Sequence, residues 1–114
     1  MGYPANYNFI VSQNETVQYT FTWKTGDPEV PVNLTNYTAR MQVKTDLGSA
    51  ALLTLTNLSG ITLSADGAIA ITIPHATMAT LPAGQLIYDL ELLTGATMTP
   101  LLAGEFRIRA EVTT

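Results

Sequence analysis

Cysteine is absent from the 114 residues, and charged side chains are scarce. The lack of cysteine excludes disulfides, thiolate metal ligands and a reactive thiol. Charged residues make up only 12% of the chain, against about 25% in an ordinary domain. Thr, Asn, Ser and Gln supply the polarity instead, and their hydroxyls and amides cost less to bury than ions do. This composition suits a protein that works inside an assembly, and equally an ordinary Thr-rich β domain.

Signals for nucleic-acid or membrane partners are also missing. The net charge is −4 and the five cationic residues are scattered, so no basic patch for nucleic acid is predicted. No apolar run approaches the ~18 residues of a membrane span. A basic start followed by an apolar stretch, the pattern of a signal peptide, is not visible either. We expect neither nucleic acid nor membrane as a partner.

Groups suited to catalysis are few. His75 is the only histidine, and its position after Pro74 indicates a surface or helix-capping role. Asp89 and Glu91 share one strand face, the minimal arrangement of a glycosidase pair, but cross-strand arginines explain them better. No Gly-rich phosphate loop follows a strand and leads into a helix. The sequence therefore predicts no catalytic residue, metal, cofactor or small-molecule substrate, and so no enzyme.

Apolar residues recur with a period of two along most of the chain, which predicts β-strands. Pro, Gly, Asn and Asp mark turns at intervals of ~8–12 residues, which is typical of a sandwich or small barrel. A single helical turn is expected near residues 75–80. The strands are predicted over residues 9–12, 15–24, 37–45, 50–56, 61–64, 68–73, 86–92 and 102–112.

The order of strand, Pro74, helical turn, Leu81-Pro-Ala-Gly84 and strand resembles the corner between strands E and F of immunoglobulin-like domains. We therefore predict an all-β fold, an immunoglobulin-like antiparallel β-sandwich of about seven or eight short strands. The domain is expected to span residues 9–114. Residues 1–8 are interpreted as an N-terminal arm.

The last two strands allow a prediction of register. If residues 95–100 form a flexible loop centred near Thr99, Asp89 faces Arg109 and Glu91 faces Arg107. Opposite charges facing each other on a sheet contribute roughly 0.2–1 kcal/mol a pair. The same register places Ile87, Asp89, Arg107 and Arg109 on the outward face of the sheet. We take these residues as a candidate contact surface, together with three aromatic residues near the N-terminus: Tyr3, Tyr7 and Phe9.

Several segments together resemble a family of small tailed-phage virion proteins. They include Phe21-Thr-Trp23, the run from Pro31 to Val43, Leu81-Pro-Ala-Gly84 and Tyr88-Asp-Leu-Glu-Leu92. Their layout is similar to the N-terminal β-sandwich domain of phage upper baseplate proteins. Asn33 and Asn36 depart from that pattern, which more often has Asp and Gly there.

The resemblance implies a non-enzymatic virion component, assembled in the bacterial cytoplasm and built into the particle. Capsid decoration and tail or baseplate accessory are both compatible with it. The implied partners are other virion proteins, met in a homo-oligomer or symmetric array. A carbohydrate- or receptor-binding module of a phage tail is the alternative, and it would require an exposed aromatic cluster.

Overall fold

The computed structural model describes residues 5–25 and 29–110. Most of them form strands, as the two-residue periodicity predicts. One helix, α1 (His75–Met78), is present among them. The strands are β1 (Ala5–Asn6), β2 (Phe9–Ser12), β3 (Val17–Thr22), β4 (Lys24–Thr25), β5 (Val30–Pro31), β6 (Thr38–Lys44), β7 (Leu53–Thr56), β8 (Ile61–Leu63), β9 (Ala68–Ile73), β10 (Gly84–Thr94) and β11 (Thr97–Arg109).

Two sheets build the domain. The large sheet has the order β11-β10-β6-β7, with β1 and β2 both pairing with β11 at its far edge. The small sheet has the order β3-β9-β8, and β4 with β5 forms a short ribbon. These orders correspond to strands G-F-C-C′ and B-E-D of immunoglobulin-like sandwiches. The all-β sandwich predicted from the sequence is confirmed, with one refinement: β1 and β2 run parallel to β11.

The inward residues of both sheets form one hydrophobic core. Alternation along β9 buries Ile69, Ile71 and Ile73, and the matching positions of β10 bury Leu86, Tyr88, Leu90 and Leu92. The helix α1 begins after Pro74 and buries Met78, and Leu81 is buried three residues later. Tyr19, Phe21 and Trp23 pack against this core but stay half-buried. Side chains from both layers therefore hold the sandwich together by burial.

The register of β10 and β11 differs from the prediction. Asp89 lies opposite Ala103 rather than Arg109, and Glu91 lies opposite Pro100 rather than Arg107. The turn is tight, because Thr94 pairs with Thr97 across two residues. Gly95 adopts a positive φ of 57° there, which glycine tolerates without steric cost. Residues 97–100 therefore extend β11 and do not form a flexible loop.

A bulge between Leu90 and Glu91 shifts the pairing by one residue. Up to Leu90, odd-numbered residues of β10 pair with odd-numbered residues of β11. From Glu91 onward, odd-numbered residues of β10 pair with even-numbered residues of β11. Pro100 lies at this point of β11 and has no N–H for the ladder, which explains why an irregularity is tolerated there. The partner of Glu91 is Arg40 on β6 and not the predicted Arg107. Glu91 and Arg40 lie directly opposite each other and form an ion pair.

Candidate interaction surfaces

The outer face of the large sheet carries four of the predicted contact residues. Asp89, Arg107 and Arg109 are exposed and Ile87 is half-buried. They share a face because all four are odd-numbered residues on paired segments of β10 and β11. The alternation therefore placed them correctly, although their pairing partners differ from the predicted ones.

The two arginines bind neighbours on this face, not Asp89 or Glu91. Arg107 donates to Oε1 of Gln85 at 2.9 Å and lies 3.9 Å from Oε1 of Glu105. Arg109 donates to Oγ of Ser12 at 3.2 Å, which ties β11 to β2. Such exposed polar contacts contribute little to stability. The face is thus a mixed polar surface on which both arginines have partners.

An open hollow of about 380 Å³ lies in the middle of this face. Ile87 and Leu47 supply its apolar part, and Asp89, Gln42 and Lys44 supply polar groups at its side. Leu47 belongs to the loop before β7 and is 89% exposed. A shallow hollow with an exposed leucine is suited to contact with a protein surface more than to enclosing a small molecule.

Leucines are also exposed at both ends of the edge strand β7. Leu52 lies just before it and Leu58 lies in the turn after it, where it is 91% exposed. The two-residue periodicity gives no signal for a contact role of these leucines or of Leu47. Isolated exposed leucines are common, and only the fold shows that these three flank one edge strand.

The predicted N-terminal aromatic residues separate into different environments. Phe9 is 4% exposed and packs against Tyr88 and Phe106 with ring centroids 5.1 and 5.3 Å away. It is a core residue and leaves the set of candidate contacts. Tyr7 is 37% exposed and stays in the set. Tyr3 lies outside the described residues.

Residues 5–8 of the predicted arm run along the edge of the large sheet. Tyr7 donates its backbone N–H to the carbonyl oxygen of Ala103 at 3.0 Å. Asn8 Oδ1 accepts the backbone N–H of Glu105 at 2.9 Å. Gly104 lies beneath this segment, and a Cβ there would overlap the carbonyl oxygen of Tyr7 and lie 2.6 Å from Asn8 Oδ1. The close approach of the two backbones requires glycine.

A hydroxyl from the core also holds this segment. Tyr88 is 4% exposed, and its hydroxyl donates to the carbonyl oxygen of Tyr7 at 2.6 Å. Desolvation by burial, followed by the nearby Tyr19 and Tyr7, raises the pKa of Tyr88 well above its ordinary range. The phenol therefore stays protonated and remains a donor at neutral pH.

An aromatic row runs along the side of the sandwich where β2 and β3 lie. The rings of Tyr7 and Tyr19 stack with centroids 4.7 Å apart, and those of Tyr19 and Phe21 stack at 5.9 Å. A cleft of about 320 Å³ opens between β2 and β3 and is lined partly by Glu15 and Gln18. Alternation along the strand does not reveal this row, because it places Tyr19 and Phe21 on the same face as the buried Val17.

Both strands at this side have a free edge. Among the described residues, β2 pairs only with β11 and β3 only with β9. Natural proteins usually protect such edges with charges, prolines or bulges. The β3 sequence Val-Gln-Tyr-Thr-Phe-Thr contains no charged residue and no proline. This edge is thus open to pairing with another strand.

The residues weighed for catalysis lie on different elements, His75 on α1 and both Asp89 and Glu91 on β10. His75 is exposed at the start of α1, and Glu91 is bound to Arg40. Over residues 5–25 and 29–110, no group of three or more His, Cys, Asp or Glu side chains is arranged to hold a metal ion. The same residues contain no helix with the length and apolarity needed to cross a membrane.

No protein-family model and no curated protein matches this chain.

Proposed function

We propose that this chain is a non-enzymatic structural component of a phage virion that docks on neighbouring subunits in multiple copies. Capsid decoration and a tail or baseplate accessory role both fit this proposal, and assembly would take place in the bacterial cytoplasm. The likeness of the quoted segments to tailed-phage virion proteins supports the setting. The low charge of the chain supports docking, because a weakly ionic surface is cheap to desolvate.

The observation that carries the docking role is the open side of the sandwich. There β2 and β3 each have one edge that pairs with no strand of the described residues, and the β3 sequence has neither charge nor proline. Unpaired N–H and C=O groups are satisfied when a strand from another chain is added, and alternate side chains then give specificity. A protein that acts alone has reason to block such an edge, whereas an assembly component uses it.

Two apolar features extend the surface available for docking. One is the hollow formed around Ile87 and Leu47 on the outer face of the large sheet. The other is the pair Leu52 and Leu58 beside β7, at the edge opposite to β2. Contacts on more than one side are what a subunit in a symmetric array needs.

The test is to locate the chain in purified phage particles of the phage that encodes it. Mass spectrometry should detect the chain at a fixed copy number relative to the major subunit. An electron-microscopy map should show the sandwich with β2 or β3 against a neighbour. Absence of the chain from the particles would contradict the virion role, and a particle-bound sandwich with both edges in solvent would contradict edge docking.

The N-terminal arm can be tested on the same particles. Deletion of residues 1–4 leaves the bonds of Tyr7 and Asn8 in place, so the domain should stay folded. If the arm contributes to docking, fewer copies of the truncated chain than of the full chain should be bound per particle. Unchanged occupancy would remove the arm from the proposed contacts.

A carbohydrate- or receptor-binding module is the second candidate, and the aromatic row favours it. Tyr7, Tyr19 and Phe21 are partly accessible beside a cleft that also offers polar groups, a combination common in ligand sites. A glycan array with the purified chain tests this. Binding that is lost in Tyr19→Ala and kept in Tyr37→Ala, at a tyrosine outside the row, would support it. No signal on the array would leave only the docking role.

A further inference from the structure

We propose that the edge of β3 that has no partner among residues 5–25 and 29–110 binds the β3 strand of a second copy, antiparallel and about a twofold axis at Thr20, so that two small sheets join into one. The geometry of β3 is the evidence for this pairing. Its biological role rests on the proposed docking function. The occupant is a second copy because the strand is complementary to itself in shape, hydrogen bonding and charge.

Hydrogen bonding defines which residues are available. Trp23 donates its N–H to Gly67 on the β9 side at 2.9 Å, in the same register as the pairs of β3 with β9. Hydrogen-bonded and non-bonded pairs alternate along an antiparallel ladder. The backbone groups of residues 17, 19, 21 and 23 therefore form their hydrogen bonds on the β9 side of the strand. The backbone groups of Gln18, Thr20 and Thr22 point to the free edge.

Antiparallel pairing centred on Thr20 uses all three of these residues in both copies. Gln18 meets the second copy's Thr22, and Thr20 meets its own counterpart. On the other face of the strand, Tyr19 meets Phe21 of the second copy twice. Aromatic and Thr–Thr cross-strand pairs are among the favourable ones in sheets. Gln18, Thr20 and Thr22 are all exposed, so the second copy displaces water and not a neighbouring strand.

Charge favours the antiparallel direction. Glu15 precedes β3 and Lys24 follows it, and both are exposed. In the Thr20 register, Lys24 lies opposite Thr16 of the second copy and so next to its Glu15, at both ends of the pair. Parallel pairing would instead place Glu15 near Glu15 and Lys24 near Lys24. Opposite charges at both ends favour a second copy of this chain in one orientation.

The twofold axis gives the proposal a sharp test, because residue 20 meets itself. Thr20→Lys and Thr20→Glu each place like charges opposite one another. Each variant alone should weaken the dimer on the order of fivefold or more in dissociation constant. An equimolar mixture should restore dimers, since lysine then meets glutamate. Analytical ultracentrifugation gives the association state, and Thr72→Lys, on the same sheet face but on the central strand β9, is the matched control.

Cysteine cross-linking tests the register in a chain that has no cysteine of its own. Facing hydrogen-bonded residues have Cα atoms about 5.5 Å apart, within the range of a disulfide. Thr20→Cys should therefore form a covalent dimer under mild oxidation, and Thr72→Cys should not. Cross-linking of both variants to the same extent, or of neither, would overturn the proposed pairing.

The outcomes also separate this pairing from the proposed function. Wild-type chain that remains monomeric up to about 1 mM, or a charge mixture that does not restore dimers, overturns the pairing. The virion role then still stands if the chain is found in particles. The opposite result is also informative. If the dimers meet all these tests but the chain is absent from the particles, the pairing is upheld and the virion role is overturned.

Discussion

The hydrogen bond from Tyr88 to Tyr7 makes a quantitative prediction, and Tyr88→Phe is the perturbation that isolates it. The substitution removes one hydroxyl from a residue that is 4% exposed and leaves the ring in the core. It deletes a 2.6 Å bond and leaves the carbonyl oxygen of Tyr7 without this donor. A lost bond of this kind costs about 0.5–1.5 kcal/mol, and an unsatisfied partner raises the cost to about 1–3 kcal/mol.

We expect Tyr88→Phe to lower the free energy of unfolding by about 1–2 kcal/mol, because Tyr7 lies at an edge where water can partly replace the donor. Urea unfolding followed by the fluorescence of Trp23, the only tryptophan, measures this. With a slope of roughly 1–3 kcal/mol/M, the urea midpoint should fall by about 0.3–2 M. Tyr37→Phe is the matched control, since the Tyr37 hydroxyl makes no hydrogen bond to the described residues, and it should change stability by less than about 0.5 kcal/mol.

The same bond predicts a pH dependence. Burial raises the pKa of Tyr88 in the folded chain above its unfolded value. The stability that the protonated hydroxyl contributes is therefore complete below the unfolded pKa of about 10 and is lost progressively as the pH rises above it. The difference in stability between wild type and Tyr88→Phe should shrink above pH ~10. Equal stabilities at neutral pH, or a difference that grows in alkali, would refute the reasoning.

Four further substitutions probe the packing and the register. Gly104→Ala should cost about 1–3 kcal/mol of unfolding free energy, because its Cβ meets the backbone of Tyr7; urea unfolding measures the loss. Phe106→Ala should cost about 3–5 kcal/mol of unfolding free energy, since this core residue is fully buried and the cavity left behind closes only in part; thermal unfolding by circular dichroism measures the loss. Replacing Arg40 and Glu91 by alanine, singly and together, should give a coupling energy of about 0.2–1 kcal/mol in a double-mutant cycle.

Matched controls distinguish these effects from general sensitivity. Gly48→Ala, where a Cβ would meet only an ordinary contact at 3.8 Å, should change stability by less than about 0.5 kcal/mol. A second cycle between Glu91 and Arg107, the pairing that the sequence suggested, should show no coupling. Coupling to Arg107 in place of Arg40 would contradict the observed register.

Local patterns in the sequence were sufficient for much of the fold. The alternation of Ile69, Ile71 and Ile73 identified a strand with one buried face, and Pro74 ended it because proline lacks the N–H that a ladder needs. The following helical turn and the Leu81-Pro-Ala-Gly84 segment indicated the corner of an immunoglobulin-like sandwich. These features depend on residues close together in the chain, so their signals are present without knowledge of distant partners.

Partners distant in the chain could not be predicted in the same way. Alternation shows which face a residue takes but not which strand lies beside it. The partner of Glu91 therefore changed from Arg107 to Arg40 once the tight turn at Gly95 and the bulge beside Pro100 were known. Phe9 lies in the core for a similar reason, since only the parallel pairing of β2 with β11 places its ring against Phe106.

The sequence by itself determined that the chain forms an all-β sandwich, because hydrophobic periodicity is a local property that burial turns into two layers. The open side of that sandwich was decided by the tertiary structure alone. Whether β3 is a central strand or an edge strand depends on which other strands reach it, and nothing within residues 17–22 encodes that. The edge strands β2 and β3 belong to different sheets but lie at the same side of the sandwich. Their position brings the rings of Tyr7 and Tyr19 together and leaves backbone groups of β3 available to another chain.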